Sequence, residues 1–335
     1  MSKHRPDRRP MKTIIYSSPF VPAEWISAHG ARPRRIRPDP AAAAPSGAPV
    51  MGMCPYARAF AAEAASASDA DAAVFTTTCD QMRRAAEWVA LDGTRPVFLM
   101  NVPATWQSPS SVRQYRDELE RLGRFLVGLG GKRPSPRRLA EVMEAYDTRR
   151  AALRGALGTL SARGASEAVA RFDRGEEVAA PAPAATAPRG VPVALVGGPL
   201  MRGDERVFDA IERAGGLVVL DGTESGARTL PAPFDRRRLG DEPFLALVDA
   251  YFGAVPDAFR RPDTALEQWL TREVAASGAR GIMVWRYVWC DMWAAWATRL
   301  REAAGLSVLD LDVSGDDAGL ERTVHRIEAF LEVLG

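Results

Sequence analysis

The sequence predicts an α/β protein built as two doubly wound parallel-sheet domains facing a cleft, with a helical connector. Three observations predict it. Short apolar runs alternate with helical periodicities in each half of the chain, the pattern of parallel sheets with right-handed crossovers. An Ala/Pro-rich, low-complexity segment (EEVAAPAPAATAP, residues 176–188) separates the halves. Two of the apolar runs close on the same pair, Cys79-Asp80 and Cys290-Asp291, and a helical pattern follows each at once. Carboxyl ends of parallel strands form the rim where open α/β sheets bind ligands. The cleft is therefore expected where those ends meet.

In chain order, residues 1–10 read as a disordered basic tail and 11–175 as an N-terminal α/β domain with a helical insert. Residues 176–190 form the linker, and 191–335 a C-terminal α/β domain. Thr13–Tyr16 is a short strand; Ser17-Ser18-Pro19 turns into a brief helix at Val21–Ala28, with proline near its first turn. Arg34–Arg37 reads as a second strand, and the Ala/Pro-rich stretch Pro38–Pro49 as a surface loop leading to Cys54. Ala73–Thr78 is the strand before Cys79, and Pro96–Asn101 the next strand, closed by Pro103. From Ser111 to Phe172 the periodicity is helical, broken at 128–136. The second half restarts with strands at Val193–Val196 and Leu217–Leu220. Helices are expected near Asp204–Ala214, Glu242–Phe252 and Asp263–Ser277. Then come the Cys290 strand and its helix, the strand Ser307–Leu311 and a closing amphipathic helix, Arg322–Leu334.

Bulk composition narrows the class. Apolar residues make up 47% of 335, enough for two cores, and a net charge of +2 gives no argument for nucleic acid. No apolar run approaches the length of a membrane span, and no signal-like apolar stretch follows the basic start. A cytoplasmic protein with reduced thiols is expected. Three cysteines with no CxxC also argue against a disulfide framework.

Those cysteines carry the main chemical signal. Each of Cys54, Cys79 and Cys290 stands at a junction before a helix. Each could be an inert core thiol. A zinc site is a second reading, but structural zinc wants four ligands, and the three histidines are His4, His29 and His325. His29 could complete such a site, although a solvent-facing turn histidine is its simpler reading. A [4Fe–4S] cluster fits better: each iron takes one thiolate, so three cysteines leave one iron open as a Lewis acid.

The words around these residues resemble the 2-hydroxyacyl-CoA dehydratases and the related benzoyl-CoA reductase subunits. Val21–Gly30 (VPAEWISAHG), Cys54–Arg58 (CPYAR), Thr78–Arg83 (TCDQMR), Leu195–Leu200 (LVGGPL), Val219–Arg228, Trp289–Asp291 (WCD) and Thr323–Phe330 (TVHRIEAF) stand in that family's order. The resemblance implies a [4Fe–4S] cluster on Cys54, Cys79 and Cys290 at the cleft. It also implies a dehydratase acting on a 2-hydroxyacyl-CoA, with a paralogous subunit or a second copy as partner. A separate ATP-dependent activator would inject one electron, giving a ketyl radical that expels the C2 hydroxyl, loses a C3 proton and returns the electron. The other function class is a non-catalytic iron–sulfur partner or electron-transfer subunit of the same fold.

Further candidates follow from position. Ser17 and Ser18 face the same rim and could meet a substrate hydroxyl, or be turn serines. Glu24 could move a proton, or simply favour a helix N-terminus. Gly197-Gly198-Pro199 could cradle a CoA phosphate through backbone N–H groups, or be a tight strand–helix turn. Trp285, Trp289, Trp293 and Trp296 could shield a cluster, though such stripes usually belong to a core. There is no GxGxxG and no P-loop.

Overall fold

Apolar side chains fill both faces of every central strand, which marks sheets covered by helices on both sides. In the computed structural model Ile14 and Tyr16 enter one core and Ile15 the other; Ala72 and Val74 part from Ala73 and Phe75 in the same way. The alternation repeats at Val193 and Leu195 against Ala194 and Val196. The structure describes residues 11–42, 52–178, 189–303, 305–315 and 317–335. The tail at 1–10, most of the loop before Cys54, and linker residues 179–188 lie outside the described residues.

The first sheet comprises β1 (Thr13–Tyr16), β2 (Arg32–Arg35), β3 (Ala72–Thr76) and β4 (Val97–Met100), in the order β2-β1-β3-β4. The second comprises β5 (Val191–Gly197), β6 (Gly216–Thr223), β7 (Gly281–Tyr287) and β8 (Ser307–Val313), in the order β6-β5-β7-β8. All pairings are parallel. Each sheet therefore reverses direction between its first and third strands, and ligands of open α/β sheets bind at such a switch point. β6 runs three residues past the expected end at Leu220, because its pairing with β5 continues to Gly197↔Thr223.

Helices α1 (Ala23–Ala28), α2 (Pro55–Ser66) and α3 (Asp80–Asp92) belong to the first sheet. The long helical region resolves into α4 (Pro109–Gly128), α5 (Pro136–Leu157) and α6 (Ala162–Asp173). Ser108, Ser135 and Ser161 cap the three helices, each accepting from the N–H of the residue three positions on. Beyond α7 (Arg206–Arg213) comes α8 (Arg236–Asp241), which was not expected; the helix expected over 242–252 is α9 (Pro243–Val248) followed by a π-helical turn at Asp249–Gly253. Pro243 has no N–H to continue α8, and Glu242 adopts φ −138°, so the chain restarts there. This segment packs on the first sheet's outer core: Leu247, Val248, Tyr251 and Phe252 join Tyr115 and Leu122. Helices α10 (Thr264–Ser277), α11 (Asp291–Ala303) and α12 (Asp317–Leu334) complete the second layer.

One core runs through both sheets. Phe60, Phe75 and Met82 of the first half join Leu195, Trp285, Tyr287 and Leu311 of the second. The Tyr56 and Tyr287 rings stack across this seam at 5.9 Å. The carboxyl ends of both sheets are thereby held face to face. Among the described residues, no helix is long and apolar enough to cross a membrane.

Candidate active site

The three cysteines occupy equivalent local positions. Cys54 is the N-cap of α2, Cys79 is the N-cap of α3, and Cys290 directly precedes α11. A helix start carries unpaired N–H groups and the positive end of the helix dipole. Neither Cys54 nor Cys79 makes a full capping hydrogen bond. Even so, the amides of Ala57 and Tyr56 act on the Cys54 sulfur, those of Met82 and Gln81 on Cys79, and that of Trp293 on Cys290, each favouring the thiolate. Burial outweighs them: it pushes Cys54 up to about 11 and Cys290 up to about 12, and raises Cys79. Each of these thiols also raises, or is raised by, another of the three, which reflects their proximity.

All three line one cavity of about 90 Å³ between the two switch points. Two bonds from cysteine amides shape its walls. The Cys54 amide donates to Gln81 Oε1 at 3.1 Å, tying α2 to the start of α3. On the other side, the Cys290 amide donates to the Tyr287 carbonyl at 3.1 Å, closing a turn in which Trp289 takes φ +69°. That conformation is one side chains of this bulk rarely adopt. Trp289 is 60% exposed, whereas Trp285, Trp293 and Trp296 are buried. The expectation of a shielding role for all four is corrected for Trp289, because its turn carries the ring outward. Among the described residues, no three His, Cys, Asp or Glu side chains converge on a point that could hold one metal ion. The cysteines surround the cavity rather than meeting at its centre.

Ser17 and Ser18 line this cavity, as do Gly198 and Pro199. Gly197 stands behind it. Its φ is +143°, and a Cβ there would lie 2.0 Å from the Trp285 carbonyl oxygen, so β5 and β7 approach closely only because this residue is glycine. The Gly197 carbonyl accepts from Arg228 Nη2 at 3.1 Å and from the Glu224 amide at 3.1 Å.

Glu24 is not brought to the cavity. It is fully buried in the first half's outer core. There it pairs with Arg150 Nη1 and accepts from the Tyr251 hydroxyl at 2.6 Å. Asp147 holds the other side of Arg150 at 3.1 Å. The Glu24 carboxylate thus neutralises a buried guanidinium. His29 is likewise buried, not solvent-facing. Its Nδ1 lies 2.7 Å from the Trp25 carbonyl, its ring packs edge-on to Trp25, and burial lowers its pKa.

Two carboxyl groups in the cavity were not singled out from sequence: Glu224, just beyond β6, and Asp257. Burial, then repulsion from Asp257, pushes Glu224 up to about 7, with Arg35 and Arg228 working against the rise. Arg35 lies 3.5 Å from Glu224 Oε1 and also donates to the Ser17 carbonyl (2.8 Å) and Thr229 Oγ1 (2.9 Å). One guanidinium from β2 therefore positions the ends of both sheets. Arg228 Nη1 approaches Asp257 at 3.6 Å, and its guanidinium lies over the Trp293 ring at 5.4 Å. The signal for Glu224 in the sequence was its place after a strand end; its partners lie 189 and 4 residues away.

Two parallel sheets with opposed switch points, and between them a cavity lined by three thiols and by Glu224, define an α/β protein with a cleft between its halves. The chain belongs to the family of the 2-hydroxyglutaryl-CoA dehydratase D-component, whose pattern matches residues 19–334. No curated protein sequence matches the chain.

Proposed function

We propose that the protein is the iron–sulfur subunit of a dehydratase that removes water from a 2-hydroxyacyl-CoA. The observation that carries this reading, beside family membership, is the shared cavity: thiols from both halves of the chain open onto the space that holds Glu224. Cys54, Cys79 and Cys290 would hold a [4Fe–4S] cluster. Their chemistry fits it: thiolate ligands favoured by helix-start amides, spaced around a cavity, and backed by the apolar groups Phe20, Met82, Met292 and Trp293. When bound, the cluster would supply one-electron chemistry and, with three cysteines for four irons, a Lewis-acidic position.

The protein's own residues handle binding and protons. In the net reaction the C2–O and C3–H bonds break, a C2=C3 double bond forms, and water leaves with no net oxidation. A carboxyl group near pKa 7 can give and take a proton at neutral pH. Protonated Glu224 delivers its proton to the departing C2 hydroxyl, and the resulting carboxylate takes the C3 proton. Ser17 and Ser18 lie on the same wall and can donate to the substrate's oxygens. Arg35, 3.5 Å from Glu224 Oε1, holds the carboxyl in place, and its charge and that of Arg228 work against the rise in its pKa. An ATP-dependent activator supplies the initiating electron, and a paralogous subunit or second copy completes the enzyme.

The test is spectroscopic. A 2-hydroxyacyl-CoA should alter the Mössbauer or EPR spectrum of the anaerobically purified protein, and free CoA should do so weakly. A spectrum indifferent to every acyl-CoA tried would indicate an electron carrier and end the dehydratase reading.

A further inference from the structure

A hollow of about 620 Å³ lies between α1, α4, the start of α5 and residues 241–245. It shares no lining residue with the cysteine cavity. Trp25, Leu139 and Phe244 belong to its apolar wall, with the Trp25 and Phe244 rings 4.9 Å apart. The Trp25 indole N–H is spent on the Leu119 carbonyl at 2.7 Å, so this ring offers the hollow only apolar surface. Hollows of this size and lining take small molecules, which a few polar groups orient.

One such group is His29, buried in the same wall. Its Nδ1 lies 2.7 Å from the Trp25 carbonyl, which can only accept, so Nδ1 carries the proton. Burial, opposed by that bond and assisted by the Arg133 charge, lowers its pKa, so the ring is neutral and Nε2 is an acceptor. Among the described residues nothing donates to Nε2. Gly123 of α4 faces it: a Cβ there would lie 2.8 Å away, so the missing side chain leaves the nitrogen reachable from the hollow. A buried acceptor without a donor marks a place where a donor belongs. The rim supplies charge of both signs. Arg124 and Arg133 stand there with Glu120, Asp241 and Glu242, all exposed, and none of the five forms an ion pair among the described residues. The larger hollow, about 760 Å³ beside β2 and α6, differs in kind: there Arg34 pairs with Asp69, and Arg202 with Asp39 and Glu63.

We propose that the hollow binds a free aromatic amino acid whose ring carries a hydrogen-bond donor, of the tyrosine or tryptophan kind. The phenol O–H or indole N–H donates to His29 Nε2, and the ring packs against Leu139 and Phe244. The carboxylate meets Arg124 or Arg133, and the ammonium meets Glu120 or the neighbouring Asp241 and Glu242. A simple anion answers only one sign of the rim, and phenylalanine leaves Nε2 unpaired. The inference depends neither on the cluster nor on an acyl-CoA substrate.

The experiment uses the full chain, purified anaerobically, with tyrosine, tryptophan and phenylalanine as probes in calorimetry. Tyrosine and tryptophan should bind more tightly than phenylalanine by about tenfold or more, the worth of one hydrogen bond to an acceptor otherwise buried unpaired. N-acetyltyrosine amide, which lacks both charges, should bind more weakly than tyrosine. His29→Phe should remove the advantage of tyrosine over phenylalanine. A second readout needs no variant: the chain has three histidines, and in protein labelled with ¹⁵N-histidine the unprotonated Nε2 resonance of His29 should move upfield on saturation with tyrosine. No binding of tyrosine or tryptophan, equal affinity for phenylalanine, or an unmoved Nε2 resonance overturns the proposal. So does a dimer, in sedimentation, that Val127→Glu dissociates, since a second copy would then take the hollow.

Discussion

Replacing Glu24 separates a buried structural charge from a proton-transfer residue. Arg150 is 1% exposed and has two anionic partners, Glu24 and Asp147. Its Nε has no partner, and the Tyr251 hydroxyl donates to the other Glu24 oxygen. Glu24→Ala leaves that cation with one carboxylate and the tyrosine with no acceptor, inside a core where water cannot replace either. Breaking a buried pair from one side costs about 3–5 kcal/mol. The stranded hydroxyl belongs to the same network, so its cost is contained in that figure rather than added to it. Glu24→Gln keeps an oxygen for Tyr251 and should cost less. Removing the cation as well, in Glu24→Gln/Arg150→Met, should recover part of the loss, because no under-paired cation is left, while Asp147 keeps the Phe234 amide as its donor. Urea unfolding of the wild type, Glu24→Ala, Glu24→Gln, Arg150→Met and the double variant measures this. A Glu24→Ala loss under about 1 kcal/mol, or a double variant as unstable as the sum of its parts, would refute the reasoning. Lost turnover at full stability would return Glu24 to chemistry.

Other perturbations reach the frame and the cavity. Gly197→Ala places a methyl against the Trp285 carbonyl and should cost more than about 2 kcal/mol; a wild-type thermal midpoint would contradict the close β5–β7 approach. Burial pushes Asp204 up to about 6, where it accepts from Tyr287 and from the Met201 amide. The folded state therefore holds this proton more tightly than the unfolded chain, and stability falls as pH rises from about 4 to 6, by up to about 3 kcal/mol. Asp204→Asn keeps an accepting oxygen and should flatten that slope in urea unfolding; an unchanged slope would exclude Asp204 as its source. Glu224→Gln should leave iron content intact, lower turnover by about 10²-fold or more, and remove the activity limb near pH 7. An unaltered pH profile would place the proton chemistry elsewhere.

The frame was legible because its signals are local. Apolar runs ending in Cys-Asp marked β3 and β7, and the helix starts behind them placed Cys79 and Cys290 on the rim. What stayed hidden depends on distant partners. Glu24 looks like any acid in a first helical turn until Arg150, 126 residues on, closes over it. Glu224 acquires its character from burial and from Asp257, Arg35 and Arg228, none of which local pattern connects to it. His29 follows a helix and reads as a turn residue, but α4 covers it: a Cβ on Gly123 would lie 2.8 Å from its Nε2. The helix expected from Glu242 does start at Pro243; the short α8 before it and the π-helical turn at Asp249–Gly253 were missed, because neither changes the apolar spacing.

The central claim is that three cysteines from two sheets serve one metal cluster, and iron and sulfide analysis tests it most directly. The anaerobically purified chain should contain about four iron and four sulfide, as one cubane requires. Cys54→Ser, Cys79→Ser and Cys290→Ser should each lose most of both while keeping the wild-type far-UV circular dichroism, because each thiol stands at a helix start facing the cavity. Zinc in place of iron, no metal after anaerobic reconstitution, or unfolding of the Cys79→Ser protein would contradict it.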